Sequence, residues 1–351
     1  MRWRVCTVVL CLVAAVALLD AGEQRPDRFA LLSRYLEAMR TNGGIPGLSA
    51  AVVEDGRIVW ESGFGFQDVE RRIAATPDTP YRTASLTKTF ASTLLMQCVE
   101  RGTLNLDTPI SQYTTAIPEP GATVRHVLTH TSAGTPGMRY VYDGNRFSAL
   151  TAVVSACADK PFRQSLATEI LDRSAMRDSV PGQDLEAPSA AVAALFDSAS
   201  LERYTAVLRR IAKPYLVVHG RPSLTEYPNR GISAAAGLVS TVRDLAKFDK
   251  AIDDHVFIRA QTQELAWTNY VTPTGKSPYA LGWFVQTYDG QRLVWHYGSW
   301  PQFSALYLKV PERRLTLILL ANSGGLSSPF PLADGDVRAS TFARLFLKAF
   351  L

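Results

Sequence analysis

Cysteine is scarce: the 351 residues hold four, and two of these, Cys6 and Cys11, stand close to the N-terminus. The remaining pair, Cys98 and Cys157, is too few for a disulfide-built scaffold and lacks the Cys/His spacing of a zinc site. Both fall in apolar helical patterns, and two buried free thiols are expected, with a bridge between them as the alternative in an exported protein. Histidine is scarce as well. His126 and His130 are four apart, as metal ligands on a helix can be, but the sequence brings no third ligand near them, so neither is given a chemical role. No metal or organic cofactor is expected. The net charge of +5 is spread along the chain without a basic run or an aromatic-basic pattern, which argues against a nucleic-acid partner. Gly275-Lys276-Ser277 lacks the upstream glycine of a phosphate loop. Repeats and low-complexity stretches are absent. The one long apolar run covers residues 5–19, after Met-Arg-Trp-Arg and before Asp-Ala-Gly-Glu. It is shorter than the ~20 residues that span a bilayer and has the layout of a secretory signal peptide. Residues 1–21 are therefore expected to be removed near Ala21 or Gly22, with an uncleaved anchor as the alternative. The mature chain is expected to be exported, periplasmic or extracellular, with no stable membrane span.

With 47% hydrophobic and 20% charged residues, the chain can bury a large core, which excludes disorder. Residues 27–40 carry Phe29, Leu32, Leu36 and Met39 at helical spacing before Asn42-Gly43-Gly44. Two short apolar runs, 48–53 and 57–60, flank Asp55-Gly56 and predict a hairpin. From Ser85 to about Ala235 the pattern is helical and loop-rich. After a helix capped by Ser240-Thr241, with Leu245, Phe248 and Ile252 inward, strands are predicted at 282–287, 292–296, 304–310 and 315–321, then a terminal helix over 337–351. A lone hairpin is unstable, so the first two strands are expected to join the last four in one antiparallel sheet. The fold class is then α+β: a discontinuous sheet domain over 25–84 and 236–351, with a mostly helical domain, 85–235, inserted in it.

Chemistry concentrates at Ser85-Leu86-Thr87-Lys88, followed by Phe90, Leu94, Leu95 and Cys98 at helical spacing. These predict a helix with one buried face, on which Ser85 and Lys88, three apart, are neighbours. A serine hydroxyl is a poor nucleophile until a neighbour takes its proton, and a lysine does so when burial lowers its pKa. Placed in the first turn, Ser85 also offers an unpaired backbone N–H to an oxyanion.

Other segments extend the pattern in order: Ile45-Pro46-Gly47-Leu48, Asp78-Thr79-Pro80-Tyr81-Arg82, Val124-Arg125-His126-Val127-Leu128-Thr129-His130-Thr131-Ser132, Gly237-Leu238-Val239-Ser240-Thr241, Tyr279-Ala280-Leu281-Gly282-Trp283, His296-Tyr297-Gly298 and Leu320-Ala321-Asn322. From about Ile45 to Ser323 the chain resembles the serine hydrolases of the class C β-lactamase, penicillin-binding protein and related esterase family. The resemblance implies a nucleophile at Ser85, a buried amine at Lys88 and a wall strand at His296-Tyr297-Gly298, where penicillin-binding relatives keep Lys-Thr-Gly. It places the second oxyanion N–H at Ser299 and makes the segment holding His126 and His130 structural. The family's Tyr-x-Asn reads Tyr142-Asp143-Gly144 here, with Asn145 one position late, so Tyr142 is kept as proton shuttle while the aligned amide is lost. Trp295 and Trp300 flank the wall strand and have either an acyl-pocket role or a core or rim role.

The implied activity is hydrolysis of a small-molecule ester, amide or lactam through an acyl-enzyme, with esters first and β-lactams or D-amino-acid peptides second. A catalytically silent binding or scaffold protein on the same fold is the alternative of another class. A histidine of ordinary pKa at 296 is mostly neutral at pH 7, so turnover of anionic substrates is expected to rise relative to neutral esters as pH falls toward 6.

Overall fold

The computed structural model describes residues 27–228 and 230–351; the expected signal peptide lies outside the described residues. No helix among the described residues is long and apolar enough to cross a membrane.

The fold is α+β, built on a seven-stranded sheet that runs through the molecule in the order β11-β12-β13-β14-β1-β2-β3, every neighbouring pair antiparallel. Its strands are β1 (Gly47–Glu54), β2 (Arg57–Asp68), β3 (Ile73–Ala74), β11 (Phe284–Tyr288), β12 (Gln291–Trp300), β13 (Phe303–Val310) and β14 (Leu315–Ala321). The early hairpin thus joins the late meander through β1 and β14, with Ala51 opposite Ile318. Every residue of β13 and β14 is buried, the mark of a sheet covered on both faces. Helices Arg28–Asn42 and Thr341–Phe350 meet through Phe29 and Phe350, 5.6 Å between ring centroids. Helix Val242–Asp253 lies on the sheet and inserts Asp249 and Asp253 beside a fully buried Lys309 at 3.0 and 2.8 Å. Loss of Lys309 would be costly, because two buried carboxylates would be left without their cation.

Minor strands lie elsewhere. β4 (Tyr81–Arg82) and β5 (Val180–Pro181) flank β8 (Leu238–Ser240), while β6 (Tyr215–Val218) with β7 (Arg221–Leu224) and β9 (Val271–Thr272) with β10 (Gly275–Lys276) form small hairpins.

Three expectations need correction. β2 extends to Asp68 rather than ending at Trp60. Its second half carries glycines that blur the apolar alternation; at Gly63 an added Cβ would stand 2.0 Å from the Ala75 carbonyl oxygen, so the residue is needed for close passage of the backbone. The helix after Ser85, Thr87–Glu100, is buried on all sides from Thr87 to Cys98, not on one face. Its polar residues look solvent-facing in sequence, yet Thr89 and Thr93 turn their hydroxyls onto the Leu86 and Thr89 carbonyls at 2.8 and 2.9 Å, and Ser92 bonds Leu281 O. Satisfied in this way, they can be enclosed. Finally, Cys98 and Cys157 are paired rather than free. Helical periodicity placed each on an inward face but not opposite the other; their Cα atoms are 5.9 Å apart, within bridging reach. The bridge ties the Thr87–Glu100 helix to helix Leu150–Ala158.

Candidate active site

The chain enters the site along β4, where Tyr81 and Arg82 pair with Ser240 and Val239. Thr83 then gives its N–H to Leu238 O at 2.9 Å, and Ala84 adopts φ +48, a left-handed conformation costly for a residue with a Cβ. That bend ends β4 and starts a single 3-10 turn, Ala84–Leu86, which runs into the buried helix. Ser85 therefore sits in the opening turn, where the helix supplies no carbonyl for its N–H.

One turn on, Lys88 is completely buried. Its Nζ lies 2.8 Å from Ser85 Oγ and 3.1 Å from Ala235 O, with the Tyr142 and Phe147 rings at 5.2 and 5.3 Å. Burial pulls its pKa down to about 7, against a smaller opposing pull from the Asp143 carboxylate. Near neutral pH much of Lys88 is a free amine, and in that form the short contact runs from Ser85 O–H to Nζ.

Tyr142 closes the group from the other side. Its hydroxyl is buried, and burial, with Tyr297 nearby, holds its pKa well above the ordinary phenol value. The Ser85 hydroxyl acts on it in the opposite sense, from a position short of full hydrogen-bond geometry. Such a phenol stays protonated at working pH and suits a relay better than a resting base.

The wall opposite is the end of β12. β11 covers β12 only as far as Trp295, which pairs with Phe284. Val285 gives its N–H to Pro278 O and accepts Asn269 Nδ2 at its carbonyl, so it faces away from β12 and the exchanging pair is Phe284 with Trp295. By strand alternation, Tyr297 and Ser299 turn their backbone groups toward the same, now uncovered, edge. Ser299 lines the cleft with Ser85. Gly298 lets the edge come close: a Cβ there would stand 2.1 Å from Thr83 O. Gly298→Val is accordingly expected to push β12 off the serine turn and lower kcat/KM by about 10²-fold, the usual cost of displacing a catalytic group by about 1 Å. Steady-state kinetics on the folded variant checks this, and an unchanged kcat/KM would detach β12 from the chemistry.

The cleft encloses about 590 Å³ and is lined by Ser85, Lys88, Tyr142, Gly144 and Ser299 among others. Gly144 has no left-handed φ, and a Cβ there would meet only Lys88 Nζ, at 3.6 Å, so nothing in the backbone demands glycine. Asn145 is exposed and also lines the cleft. Trp300 is a cleft residue, whereas Trp295 is buried and stacks on Phe284 at 4.2 Å, which assigns it to the core.

His296 requires a correction. Its ring is fully buried in the layer behind Tyr142 and is not among the cleft-lining residues. Nδ1–H donates to Tyr297 O at 2.7 Å and Nε2 accepts from Tyr279 O–H at 2.8 Å. Burial, with the Lys88 charge nearby, pushes its pKa down to about 3. The ring gains no charge toward pH 6, so His296 gives no rise in turnover of anionic substrates there, contrary to the sequence-based expectation. The alternation that turns Ser299 to the edge gives His296 and Ser299 different surroundings, which sequence spacing did not weigh.

Sequence reasoning passed over three contributors. Ala235, whose carbonyl holds Lys88, carries no side-chain signal. Arg82 lines the cleft with its guanidinium 4.7 Å from the Phe303 ring centroid, and it reads in sequence as part of a strand. His130 is buried beside Tyr142, rings 4.4 Å apart. Among the described residues no group of three or more His, Cys, Asp or Glu side chains is placed to hold a metal.

A model of the Beta-lactamase family matches residues 32–340. Protein flp of Staphylococcus aureus (strain MW2) is 24% identical over 80% of this chain and 60% of its own length. Penicillin-binding protein 4* of Bacillus subtilis (strain 168) is 26% identical over 77% of this chain and 66% of its own. The chain thus spans about three-fifths to two-thirds of these curated relatives. Among solved structures, the octameric penicillin-binding protein homologue from Pyrococcus abyssi superposes with a TM-score of 0.74 at 23% identity, over 91% of this chain and 77% of that one. The penicillin binding protein from Bacillus halodurans gives 0.68 at 20% identity, over 83% and 96%. Both show the same fold. With the family model covering nearly all of the described chain, and the Ser85 turn, the buried Lys88 and the open edge of β12 inside that match, this protein belongs to the Beta-lactamase family.

Proposed function

We propose that the protein is an exported serine hydrolase that works through a Ser85 acyl-enzyme and acts first on carboxylic esters. The observation that carries this reading is the buried Lys88 amine, 2.8 Å from Ser85 Oγ with its pKa near neutrality. Ser85 Oγ attacks the ester carbonyl as its proton passes to Lys88 Nζ, forming a tetrahedral oxyanion held by the N–H groups of Ser85 and Ser299. Collapse breaks the bond to the alcohol oxygen, which takes the proton back from Lys88 through the Tyr142 hydroxyl. Water then attacks the acyl-enzyme, returning a proton to Ser85 and releasing the acid. The Cys98–Cys157 bridge supports export, since such bonds persist in oxidising compartments.

Ester preference rests on what the cleft omits. Gly144 offers no carboxamide for a lactam side chain, and His296 brings no cation to the wall. A lost hydrogen bond and a lost charge partner at roughly 1–3 kcal/mol each lower lactam specificity by about two to four orders of magnitude. Hydrolysis of β-lactams or D-amino-acid peptides is the second reading, favoured by Arg82 and Asn145, which line the cleft and offer a cation and an amide. Measuring kcat/KM for nitrophenyl butyrate and a chromogenic cephalosporin on one preparation separates the two. The ester is expected to win by about 10² or more, and a ratio favouring the cephalosporin reverses the assignment.

A further inference from the structure

We infer that His130 is a positioning residue that holds Tyr142 in its relay position. The inference rests on the reading of Tyr142 given above. His130 bonds the chain on both sides of the tyrosine: its backbone oxygen accepts the Val141 N–H at 2.8 Å, and its Nδ1 accepts the Asp143 N–H at 3.1 Å. Tyr142 is thus bracketed at both flanks by one residue, and its ring lies 4.4 Å from the imidazole. Asp143 in turn caps the short helix Gly144–Phe147 by accepting from Asn145 N and Arg146 N, so the second bracket point is also the start of the next element.

The imidazole is built for this task. Nδ1 acts as an acceptor, which requires the neutral ring with its proton on Nε2. Full burial, with the Lys88 amine nearby, holds the pKa well below its ordinary value and keeps the ring neutral. Backbone φ at His130 is +55, a left-handed conformation that directs its carbonyl and ring toward the same loop. Nε2 is buried without a hydrogen-bond partner, a cost that a purely packing role would avoid by using a phenylalanine or leucine. His126 differs: its Nδ1 belongs to the capping box at Thr123, away from this loop.

The test is a double-mutant cycle on the full chain, read by nitrophenyl butyrate kinetics and by the rate of fluorophosphonate labelling at Ser85. His130→Leu keeps bulk but removes the Nδ1 acceptor, and kcat is expected to fall about 10²-fold with KM little changed. His130→Asn places Oδ1 where Nδ1 stood and tolerates the left-handed backbone, so it is expected to restore kcat to within about threefold of wild type. In a Tyr142→Phe background, His130→Leu should add less than about a twofold further loss, because the group it positions is gone. Equal losses in both backgrounds, or full activity in His130→Leu, overturn the inference. If the leucine variant does not fold, the asparagine variant decides: near-normal kcat supports the bracket, and a hundredfold loss in a folded protein contradicts it. Wild-type protein that is never labelled at Ser85 instead refutes the proposed function, a result distinct from a labelled wild type with an additive cycle.

Discussion

Lys88→Arg is expected to slow acylation by a factor of about 10² to 10⁴, the span of general-base catalysis. A guanidinium stays protonated at any working pH, so it can pair with Ser85 but cannot accept its proton. The wild-type amine is different because its surroundings act on it: it is fully buried, bonded to Ala235 O and Ser85 Oγ, and faced by two aromatic rings. The sign of the pH dependence follows. With a pKa near 7, Lys88 is mostly protonated at pH 6 and mostly neutral at pH 8, so acylation should rise with pH and level off above about 8. Below the pKa the rate should fall about tenfold per pH unit. His296, held near 3 and bonded at both nitrogens, contributes no limb between pH 5 and 8. Lys88→Met serves as the control for a misplaced charge. It should lose as much as the arginine variant, and a Lys88→Arg enzyme with near-normal turnover would make Lys88 a structural cation.

Sheet strands whose residues are apolar without interruption were the easiest to read. The run predicted at 315–321 is β14, Leu315–Ala321, because a strand covered on both faces has a continuous hydrophobic signal. β2 was half missed where glycines serve close backbone passage, and the hairpin of β6 and β7 was missed inside a stretch read as helix and loop. The Ser85–Lys88 spacing was legible because it is local: three residues on one helix fix a neighbour relation. What was not legible is tertiary. Burial of the whole Thr87–Glu100 helix depends on hydroxyls that turn back to carbonyls, and pairing of Cys98 with Cys157 depends on how two distant helices face one another.

The surroundings of His296 and His130 depend on tertiary structure for the same reason. A histidine on the wall strand looked like a site residue from its position in a motif, yet both nitrogens are used within the core. His130, in a segment expected to be structural, accepts the N–H groups of Val141 and Asp143 on either side of Tyr142 through one backbone and one ring acceptor. Neither outcome is encoded by residue type; both follow from which backbone groups the fold leaves open.

Labelling the full chain with a fluorophosphonate decides whether Ser85 is a nucleophile activated by Lys88. A serine whose proton is taken by a buried amine attacks such a phosphorus centre and displaces fluoride, leaving a covalent adduct on Oγ. Mass spectrometry of the digested protein should find the adduct on the peptide containing Ser85, and Ser85→Ala should abolish it together with ester turnover. Full labelling that persists in Ser85→Ala, or a wild-type protein that stays unlabelled from pH 6 to 9, would exclude Ser85 as the activated nucleophile.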